Sequence, residues 1–570
     1  MTIHNPEIAR LFERYALLLE IGGANPFRVR AYRNAARVIE NLPRDVSAML
    51  SEGTDLSELP GIGKDLAHKL ADIVSTGRFH ELKEIEKKVP GALADLADVP
   101  GLGPKRIKLL YEKLKIKSMA GLAEAARRGK LRSLPGFGAK LEQAILKAGE
   151  AHVSGESRVR LFAAEQVAGP LVEYLETLKG VRKVTVAGSY RRRKETVGDL
   201  DILMVCPDGE KAIAHFVKYN EVASVAAEGT TRATVKLKSG LQVDLRVVPA
   251  KSHGAALLYF TGSKAHTIKL RQMGVKKGLK INEYGAYRND KWLAGKSEAD
   301  MYARLGLPYI EPELRENTGE IEAAKAGGLP RLVTLKDIKG DLHTHTSASD
   351  GNATLEEMAE AARARGYEYL AISDHTKHAG ITHGQDARRL ARQMNAIDRM
   401  NARFRGFRLV KSAEVDILPD GKLAMDDGVL AELDIVTAAI HTRFTGDQTR
   451  RLIRAMDNRN VNIIAHPTGR LIGERDAYPV DMREVMEAAL ARGCHLEVNG
   501  QPSRLDLNDA HCKMAKEMGL KLALVTDSHA AGTLGYMRYA VDQARRGWLS
   551  KADVLNTRSW PELVKLLKRP

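Results

Sequence analysis

The stretch VTVAGSYRRRKETVGDLDILMV (residues 184–205) predicts a strand, a Gly-Ser turn, a basic loop and a second strand. Asp199 and Asp201 stand two residues apart, so both carboxylates point to the same side of the second strand. Two negative charges this close are costly unless a cation lies between them. Mg²⁺, which binds carboxylates together with substrate phosphates, suits that arrangement. A lone pair of aspartates is also common at strand ends, so its meaning depends on the surrounding sequence.

The sequence on either side of this pair supplies further groups for phosphate chemistry. Asp244 lies in the strand-like run LQVDLRVVP (241–249). Three carboxylates on adjacent strands can hold two metal ions, which activate an attacking 3′-hydroxyl and neutralise a triphosphate. Gly188 and Ser189 would let a backbone and a hydroxyl approach a phosphate, and Arg192 would balance its charge. This ordered set resembles the nucleotidyltransferase superfamily.

The next run, LLYFTGSKAHTIKLRQMGVKKGLKINEYGAY (257–287), resembles family X DNA polymerases. The resemblance implies an α+β nucleotidyltransferase palm that adds dNTP to a primer under the direction of a template. It implies Mg²⁺ or Mn²⁺ at three catalytic, metal-binding residues, Asp199, Asp201 and Asp244. The implied nucleotide contacts are Gly188, Ser189, Arg192, Tyr259, Phe260, Thr261, Gly262 and Arg271.

Two positions after the Tyr-Phe-Thr-Gly turn depart from the animal repair enzymes of this family. Those enzymes carry an aspartate and, three residues later, an asparagine, and both approach the incoming nucleotide. This chain has Lys264 and Thr267 there. Lys264 is either a cationic nucleotide contact or a surface residue, so the two family contacts are not carried over.

Toward the N-terminus, one pattern occurs three times: LPGIGKDLAHKL (59–70), VPGLGPKRIKLL (99–110) and LPGFGAKLEQAI (134–145). The glycines predict a tight turn that presents backbone N–H groups at the start of a helix, where an anion is favoured. The repeats resemble helix-hairpin-helix motifs, which bind DNA phosphates without reading sequence, although one copy alone could be a helix packing corner. The predicted DNA-binding glycines are Gly61, Gly63, Gly101, Gly103, Gly136 and Gly138.

The charge of the chain agrees with a polyanionic partner. The formal net charge is +17, and lysine and arginine gain affinity by releasing counterions from phosphate backbones. Lys69 lies in the helix after the first hairpin and matches the lyase lysine of the family, which forms a Schiff base with an abasic sugar aldehyde. The alternative for Lys69 is a phosphate contact.

The last third of the chain alternates short apolar strands with helices, and residues of metal-ligand type recur where the strands end. This pattern implies parallel pairing and a barrel with its site on the C-terminal face. Imidazole and carboxylate without thiolate suit Zn²⁺, Mn²⁺ or Fe²⁺. The candidate ligands are His343, His345, Asp350, His375, Glu414, His441, His466, Asp527 and His529.

These residues resemble the ligands of the PHP (polymerase and histidinol phosphatase) domain, a distorted (β/α)₇ barrel with up to three metal ions. The resemblance implies one ion bound by His343, His345, Glu414 and Asp527, and a second that shares Glu414 with His441 and His466. It implies a third bound by Asp350, His375 and His529. Bacterial and archaeal members of family X carry this domain, which implies a metal-dependent 3′–5′ exonuclease with 3′-phosphatase and abasic-site endonuclease activities.

The expected architecture is multidomain, with helical helix-hairpin-helix domains, an α+β palm and a C-terminal PHP barrel. The expected boundaries are a helical DNA-binding domain at 1–80, a second helix-hairpin-helix subdomain at 81–150, the palm at 151–252, a nucleotide- and template-binding subdomain at 253–315, a linker at 316–338 and the PHP domain at 339–570.

The expected role is the filling of short gaps in base excision repair, on gapped or primed double-stranded DNA with dNTP; the sequence leaves the question of protein partners open. Three scattered cysteines and the lack of a signal peptide or an 18-residue apolar run predict a cytoplasmic, nucleoid-associated protein without a membrane partner. Two alternatives stay open: a small-molecule phosphatase of the PHP type, and a DNA-bridging scaffold without catalysis.

Overall fold

The structure is a computed structural model of the 570-residue chain. It describes all residues except 1–4, 41, 43–45, 60, 77–78, 100–101, 139–140, 144, 147–157, 378–382 and 568–570. The chain divides into two compact units, residues 1–262, 270–301 and 473–475, and residues 263–269, 302–472 and 476–570. Within the described ranges, no helix has the length and apolar character needed to cross a membrane.

The first unit begins with amphipathic helices that bury their apolar stripes against one another. They are α1 (Asn5–Ile21), α2 (Pro26–Glu40), α3 (Val46–Ser51), α4 (Lys64–Thr76), α5 (His80–Lys88), α6 (Pro104–Leu114) and α7 (Met119–Arg127). An aromatic cluster joins α1, α2 and the residue before α5, with ring centroids 5.5 Å apart for Phe12 and Tyr32 and 5.6 Å apart for Phe12 and Phe79. Both pairs are edge-to-face, the arrangement that aromatic quadrupoles favour.

The three hairpins share one turn geometry. In each, the apolar residue between the glycines is buried, and its N–H donates to the apolar residue before the proline: Ile62 to Leu59 at 2.9 Å, Leu102 to Val99 at 2.9 Å and Phe137 to Leu134 at 3.2 Å. Gly61 and Gly136 have φ of +78° and +83°, which a residue with a Cβ rarely adopts. Gly63, Gly103 and Gly138 have open space where a Cβ would lie. Gly101 lies outside the described residues.

The rest of the first unit is an α+β domain. Its strands are β1 (Val159–Arg160), β2 (Lys183–Val186), β3 (Thr196–Val197), β4 (Asp199–Val205), β5 (Val222–Glu228), β6 (Arg232–Leu237), β7 (Gln242–Val247), β8 (Lys280–Asn282), β9 (Gly285–Arg288) and β10 (Lys291–Ala294). Its helices are α8 (Leu161–Glu176), α9 (Gly188–Arg191), α10 (Gly209–Phe216), α11 (His253–Thr261), α12 (Lys264–Lys276) and α13 (Glu298–Arg304), and the last two include residues of both units. The main sheet has the strand order β2-β4-β7-β6-β5, with β4 and β7 parallel.

The second unit is built around seven parallel strands in sequential order. They are β11 (Gly340–Thr344), β12 (Tyr369–Ile372), β13 (Arg408–Asp416), β14 (Ile435–Ala439), β15 (Val461–Ile464), β16 (His495–Asn499) and β17 (Leu522–Val525). The helices are α14 (Glu320–Lys325), α15 (Leu355–Ala364), α16 (Ala387–Asn401), α17 (Asp427–Leu430), α18 (Thr449–Met456), α19 (Met482–Arg492), α20 (Asp509–Met518), α21 (Met537–Arg546) and α22 (Trp560–Leu567).

The first and last strands of this sheet meet, which closes it into a barrel. The N–H of His345 donates to the Ser528 carbonyl at 2.8 Å, and the N–H of Asp527 donates to the His343 carbonyl at 3.0 Å. Alternate strand residues form two cores, one beneath the helices and one inside the barrel, where Leu555 and Leu563 join the strand residues. The predicted order of helical, α+β and (β/α)₇ parts is confirmed.

Residues 316–338, predicted as a linker, contain helix α14 and are anchored to the second unit. Glu320, at the start of α14, is buried and lies 2.6 Å from Nδ1 of buried His266, whose Nε2 lies 2.9 Å from the Tyr302 hydroxyl. The Glu320 carboxylate also accepts hydrogen bonds from the N–H groups of Asn317 and Thr318 at 3.0 and 2.8 Å. The charged sequence of this segment predicts a connector, because the sequence does not show the contact between Glu320 and the distant His266.

Candidate active sites

The three aspartates of the palm lie side by side on neighbouring strands. Asp201 on β4 is the register partner of Asp244 on the parallel strand β7. Asp199 precedes Asp201 by two residues on the same strand and therefore shares its face. The structure thus brings together the three carboxylates that the sequence selected.

Gly188 fits this site because it has no side chain. Its φ is +60°, and a Cβ at this position would lie 2.5 Å from Oδ2 of Asp201. The adjoining N–H of Ala187 donates to the Asp201 carbonyl oxygen at 2.7 Å. Any larger residue would push the short helix α9, which carries Ser189, away from the carboxylates.

The electrostatics of the aspartates fit a bound cation. Burial raises the pKa of Asp201 to about 7, with further contributions from the charges of Asp199 and Asp244. Burial and the charge of Asp244 also raise the pKa of Asp199. Carboxylates that repel one another in this way are relieved when a divalent cation lies between them, and Mg²⁺ and Mn²⁺ both prefer oxygen ligands.

Two residues that the sequence reasoning missed hold Asp244. The Thr234 hydroxyl donates to Oδ1 of Asp244, and the side-chain amide of Gln242 donates to Oδ2 at 2.8 Å. Thr234 lies directly opposite Asp244 on β6, so cross-strand register explains the contact. Each carboxylate oxygen keeps further lone-pair capacity for a cation.

The predicted nucleotide-binding turn closes helix α11. Tyr259 and Phe260 are half-buried, with ring centroids 5.0 Å apart, and the Arg246 guanidinium lies 4.5 Å from the Phe260 ring centre. Gly262 ends the helix with φ of +70°. Arg271 is exposed on α12.

Two arginines bind this turn to the Gly-Ser segment: Arg191, at the end of α9, and Arg192, its C-cap residue. Arg192 donates to the carbonyl oxygen of Thr261. Arg191 donates to the Thr261 hydroxyl at 2.6 Å and forms a two-pronged pair with Glu298 at 2.8 and 2.6 Å. Sequence reasoning missed the role of Arg191, because its partner Glu298 lies more than a hundred positions away.

In the barrel, the first set of candidate ligands surrounds the ends of β11 and β17. His343 Nε2 lies 3.1 Å from His345 Nε2 and 3.5 Å from Glu414 Oε2. His345 Nε2 lies 3.2 Å from Asp527 Oδ1 and 3.7 Å from Glu414 Oε2. Four ligand atoms of these residues therefore face one point, as expected for a shared ion.

Glu414 lies between this set and the second one. Its Oε2 faces His343 and His345, whereas its Oε1 lies 3.1 Å from His441 Nε2 and 2.9 Å from His466 Nε2. One carboxylate oxygen thus serves each set. This geometry supports the predicted sharing of Glu414.

The third set lies next to the first. Asp350 Oδ2 lies 3.5 Å from His375 Nε2, and Asp350 Oδ1 lies 3.4 Å from His529 Nε2. His345 also belongs to this group, and the other ring nitrogen of His375 lies 3.0 Å from Glu414 Oε2. The structure therefore brings all nine candidate ligands together, and it places His345 and His375 at the junctions between sets.

Donor chemistry and charge in the cluster fit bound cations. His345 Nδ1 is buried and has no hydrogen-bond partner among the described residues. Although burial acts to raise it, the imidazoles of His441 and His375 hold the pKa of Glu414 well below its usual range. Burial also acts to raise the pKa of Asp527, but the hydrogen bond from His345 holds that pKa well below its usual range. Ionised carboxylates and imidazoles with free nitrogens are the ligands that Zn²⁺, Mn²⁺ and Fe²⁺ accept.

Family models match five segments of the chain. They are a helix-hairpin-helix domain (residues 3–79), a SAM-like helix-hairpin-helix tandem (93–148), the DNA polymerase beta palm (163–273), the DNA polymerase beta thumb (256–316) and the PHP domain (341–465). The DNA polymerase/3′-5′ exonuclease PolX of Bacillus subtilis (strain 168) is 40% identical over 575 residues, covering 100% of both chains. The chain belongs to the family X DNA polymerases that carry a PHP domain.

Two other relatives match parts of this family X chain. A probable phosphatase of Thermoanaerobacter sp. (strain X514) is 29% identical over 232 residues, which are 38% of this chain and 89% of that protein. DNA polymerase lambda of Arabidopsis thaliana is 26% identical over 321 residues, which are 50% of this chain and 57% of that protein.

Behind the PHP ligands lies a layer of acceptors that the sequence reasoning missed. His343 Nδ1 donates to Glu497 at 2.8 Å, and the other oxygen of this carboxylate accepts the N–H of His466 at 2.6 Å. His441 Nδ1 lies 2.8 Å from Asp416. Such contacts fix the tautomer and orientation of a ligating imidazole.

A signal for these residues was present in the sequence. In HLEVN (495–499), Glu497 and Asn499 share one face of β16, while Leu496 and Val498 pack beneath the helices. The side-chain amide of Asn499 donates to Glu497 at 2.9 Å and to Asp527 at 3.1 Å. A charged residue between two apolar residues of a buried strand predicts a polar partner in the barrel interior.

Lys69 lies in the helical domain, held by two carboxylates. Its Nζ is bonded to Asp65 and lies 2.9 Å from Glu81. Although burial acts to lower it, the hydrogen bonds to Asp65 and Glu81 raise the pKa of Lys69 above its usual value. A Schiff base requires the neutral amine, so the observed pairing favours the ammonium. The lyase role of Lys69 stays a prediction.

Proposed function

We propose that the chain fills short gaps in DNA by template-directed synthesis, and that its PHP site removes nucleotides from 3′ ends. The observation that carries this proposal is the presence of two separate ligand sets, three aspartates in the palm and nine side chains in the barrel. Similarity to a protein named DNA polymerase/3′-5′ exonuclease supports both activities. The 3′-phosphatase and abasic-site endonuclease activities, and repair of gapped DNA beside the nucleoid, belong to the same proposal.

In the palm, the chain's own residues position the nucleotide. Gly188 leaves room beside Asp201, and Ser189 and Arg192 offer a hydroxyl and a cation to the triphosphate. Mg²⁺ or Mn²⁺ held by the three aspartates would lower the pKa of the 3′-hydroxyl and neutralise the leaving pyrophosphate. Because Arg191 and Arg192 also bind the Tyr259–Gly262 turn, they fix the sugar-facing turn relative to the phosphate-facing segment.

In the PHP barrel, the nine ligands would hold up to three Mn²⁺, Zn²⁺ or Fe²⁺ ions, which supply hydroxide and polarise a phosphoryl oxygen. The protein supplies orientation: Glu497 fixes His343, Asp416 fixes His441, and Asn499 fixes Asp527. Burial of these partners keeps the imidazoles from rotating.

The purified chain tests this function on three substrates: a one-nucleotide gap with dNTP, a 3′-recessed duplex without dNTP, and histidinol phosphate. We expect extension on the first, resection on the second, and hydrolysis of the small ester that is slower by about 100-fold or more, because binding energy from a longer strand is used at the reacting centre. Faster cleavage of the small ester would favour the phosphatase alternative. Absence of tightly bound transition metal, together with neither DNA activity, would favour the scaffold.

Replacing Glu497 by glutamine is expected to weaken the nuclease without affecting the polymerase. Glu497 accepts hydrogen bonds from His343, the His466 backbone and Asn499, whereas glutamine has a single acceptor oxygen. Losing such support costs about 10–100-fold in metal affinity or activity. Titration of resection with Mn²⁺ would measure this as a higher metal concentration at half-maximal rate, with partial rescue at saturating Mn²⁺.

The same preparation provides the control for Glu497→Gln. Primer extension depends on residues of the palm and should match that of the unaltered chain. A variant with an unchanged Mn²⁺ requirement and an unchanged resection rate would show that Glu497 does not position His343.

A further inference from the structure

A cavity of about 420 Å³ lies beside the third ligand set of the barrel. Its walls come from the segment Thr346–Ala348, from the start of α15 and from the first three turns of α16. The segment begins directly after His345 and leads to Asp350, so the cavity and the ligand set share one stretch of backbone. Pockets that hold small ligands commonly measure about 300–1,000 Å³, a range that includes one nucleoside unit.

The floor of the cavity is tied to the ligand set by buried polar contacts. Gln385 donates its N–H to the His375 carbonyl at 2.7 Å and its side-chain amide to Gln393 at 2.7 Å. Gln393 in turn donates to Asp374, which accepts the N–H of Thr346 at 2.8 Å. These contacts are made within the protein, and they fix the floor of the cavity relative to His375.

One arginine of the cavity wall, Arg389, is bonded to backbone carbonyl oxygens of the protein. Arg389 donates to the carbonyl oxygens of Ala348, His383 and Gly384 at 2.6, 2.8 and 3.2 Å. These bonds hold the wall at Ala348 to helix α16. Arg389 therefore shapes the cavity and has little capacity left for a ligand.

A second arginine is placed to receive a ligand. Arg392 lines the mouth of the cavity, is exposed, and makes no hydrogen bond or ion pair with any residue that the structure describes. Arg388 and Arg399 are exposed on the same face of α16, at helical spacings of four and seven residues. The acidic side chain in the cavity wall is Glu356, on the opposite helix α15. The α16 side of the cavity is thus basic.

We propose that this cavity holds one nucleotide unit of the DNA strand next to the scissile phosphate, with Arg392 on a neighbouring backbone phosphate. The proposal rests on the nuclease function of the PHP site. Three features converge on a nucleic-acid strand: a volume that suits one nucleoside, a floor whose contacts fix it to the ligand-bearing segments, and an arginine face that continues along α16.

Charge reversal by Arg392→Glu tests the phosphate contact in the full chain loaded with Mn²⁺. We expect KM for resection of a 3′-recessed duplex to rise about tenfold, the usual loss for one charged hydrogen bond. Hydrolysis of bis(4-nitrophenyl) phosphate, a diester without a neighbouring backbone phosphate, should remain unchanged. Arg405→Glu is the matched control, because Arg405 is exposed and lies beyond Asn401, the last residue of α16. Asn401 is itself about 13 Å along the helix from Arg392.

A second variant tests the cavity by shape instead of charge. Ala396 lines it and is half-buried, so Ala396→Trp fills the space at a position where a helix tolerates a larger side chain. We expect a similar rise in KM for DNA with unchanged cleavage of the small diester. Equal KM values for both variants and the unaltered chain would overturn the proposal, as would loss of both activities in Arg392→Glu. An unaltered chain that cleaves the small diester but not DNA would overturn the nuclease function first, and the cavity assignment with it.

Discussion

Replacing Asp199 and Asp201 together by alanine is expected to abolish primer extension and to leave 3′ resection intact. These two carboxylates face Asp244 across β4 and β7, and no other described acidic side chain occupies that register. Loss of the ions that they would hold removes several kcal/mol of stabilisation at the transferring phosphoryl group, a fall in rate of about 100-fold or more. Extension and resection would be measured on one 3′-recessed duplex, with and without dNTP.

The stability of this double variant distinguishes catalysis from folding. Burial and mutual repulsion raise the pKa of both carboxylates, so their charges destabilise the folded protein when no cation is bound. We therefore expect a Tm in EDTA that is equal to or higher than that of the unaltered chain. Glu210→Ala with Glu228→Ala removes the same net charge from exposed positions of the palm and should preserve extension. Loss of resection in a folded Asp199/Asp201 variant would contradict two independent sites.

The palm site was predictable because its geometry follows from local rules. Alternation along a strand places Asp199 and Asp201 on one face, and strand register brings Asp244 opposite. The ion pair that holds the site in place was not predictable in the same way. Arg191 and Glu298 are separated by 107 positions, and nothing in the basic run 191–194 distinguishes the arginine that pairs with Glu298 from its neighbours.

Even spacing along the chain also relates most of the ligands in the barrel to the strand before them. An apolar residue inside the barrel is followed, at even spacing, by a candidate ligand on the strand or in the segment directly after it. The pairs are Ala371 and His375, Val410 and Glu414, Ile435 and His441, and Val525 with Asp527 and His529. The same rule selects Asp416, two residues after Glu414, and it could have found this supporting acceptor from the sequence.

Four ligands lie outside this rule, His343, His345, Asp350 and His466, and the structure gives the reason for the three histidines. His343 follows inward-facing Leu342 by one residue, and the pairing of β11 with β12 is irregular between Asp341 and Thr344. A bulge of this kind rotates the side chains that follow it, which brings His343 and then His345 toward the ligand set. His466 follows inward-facing Ile463 by three residues and has φ of +28°. Alternation relates His343 to His345, which stand two residues apart, but it does not place this pair or His466 relative to the inward-facing residues.

Replacing His343 and His345 together by alanine is expected to abolish resection and to leave extension intact. Both imidazoles are fully buried, and they face Glu414 and Asp527 from the same side. Without these imidazoles, two of the four ligand atoms of the first set are gone. Only the charged oxygens of Glu414 and Asp527 remain. We expect a fall in resection of about 100-fold or more and a loss of bound transition metal, measured by elemental analysis of the purified chain.

A buried histidine at the other end of the barrel provides the matched control. His495 begins β16, and its ring nitrogens lie 3.2 Å from the Lys521 carbonyl and 3.4 Å from the Leu566 carbonyl, away from the ligand set. His495→Ala therefore costs buried contacts without touching a candidate ligand, and we expect it to retain both resection and metal. If the His343/His345 variant kept resection while losing metal, the nuclease would lie outside the barrel. If it lost extension as well while remaining folded, the two activities would depend on one another, and the assignment of separate chemistry to palm and barrel would be wrong.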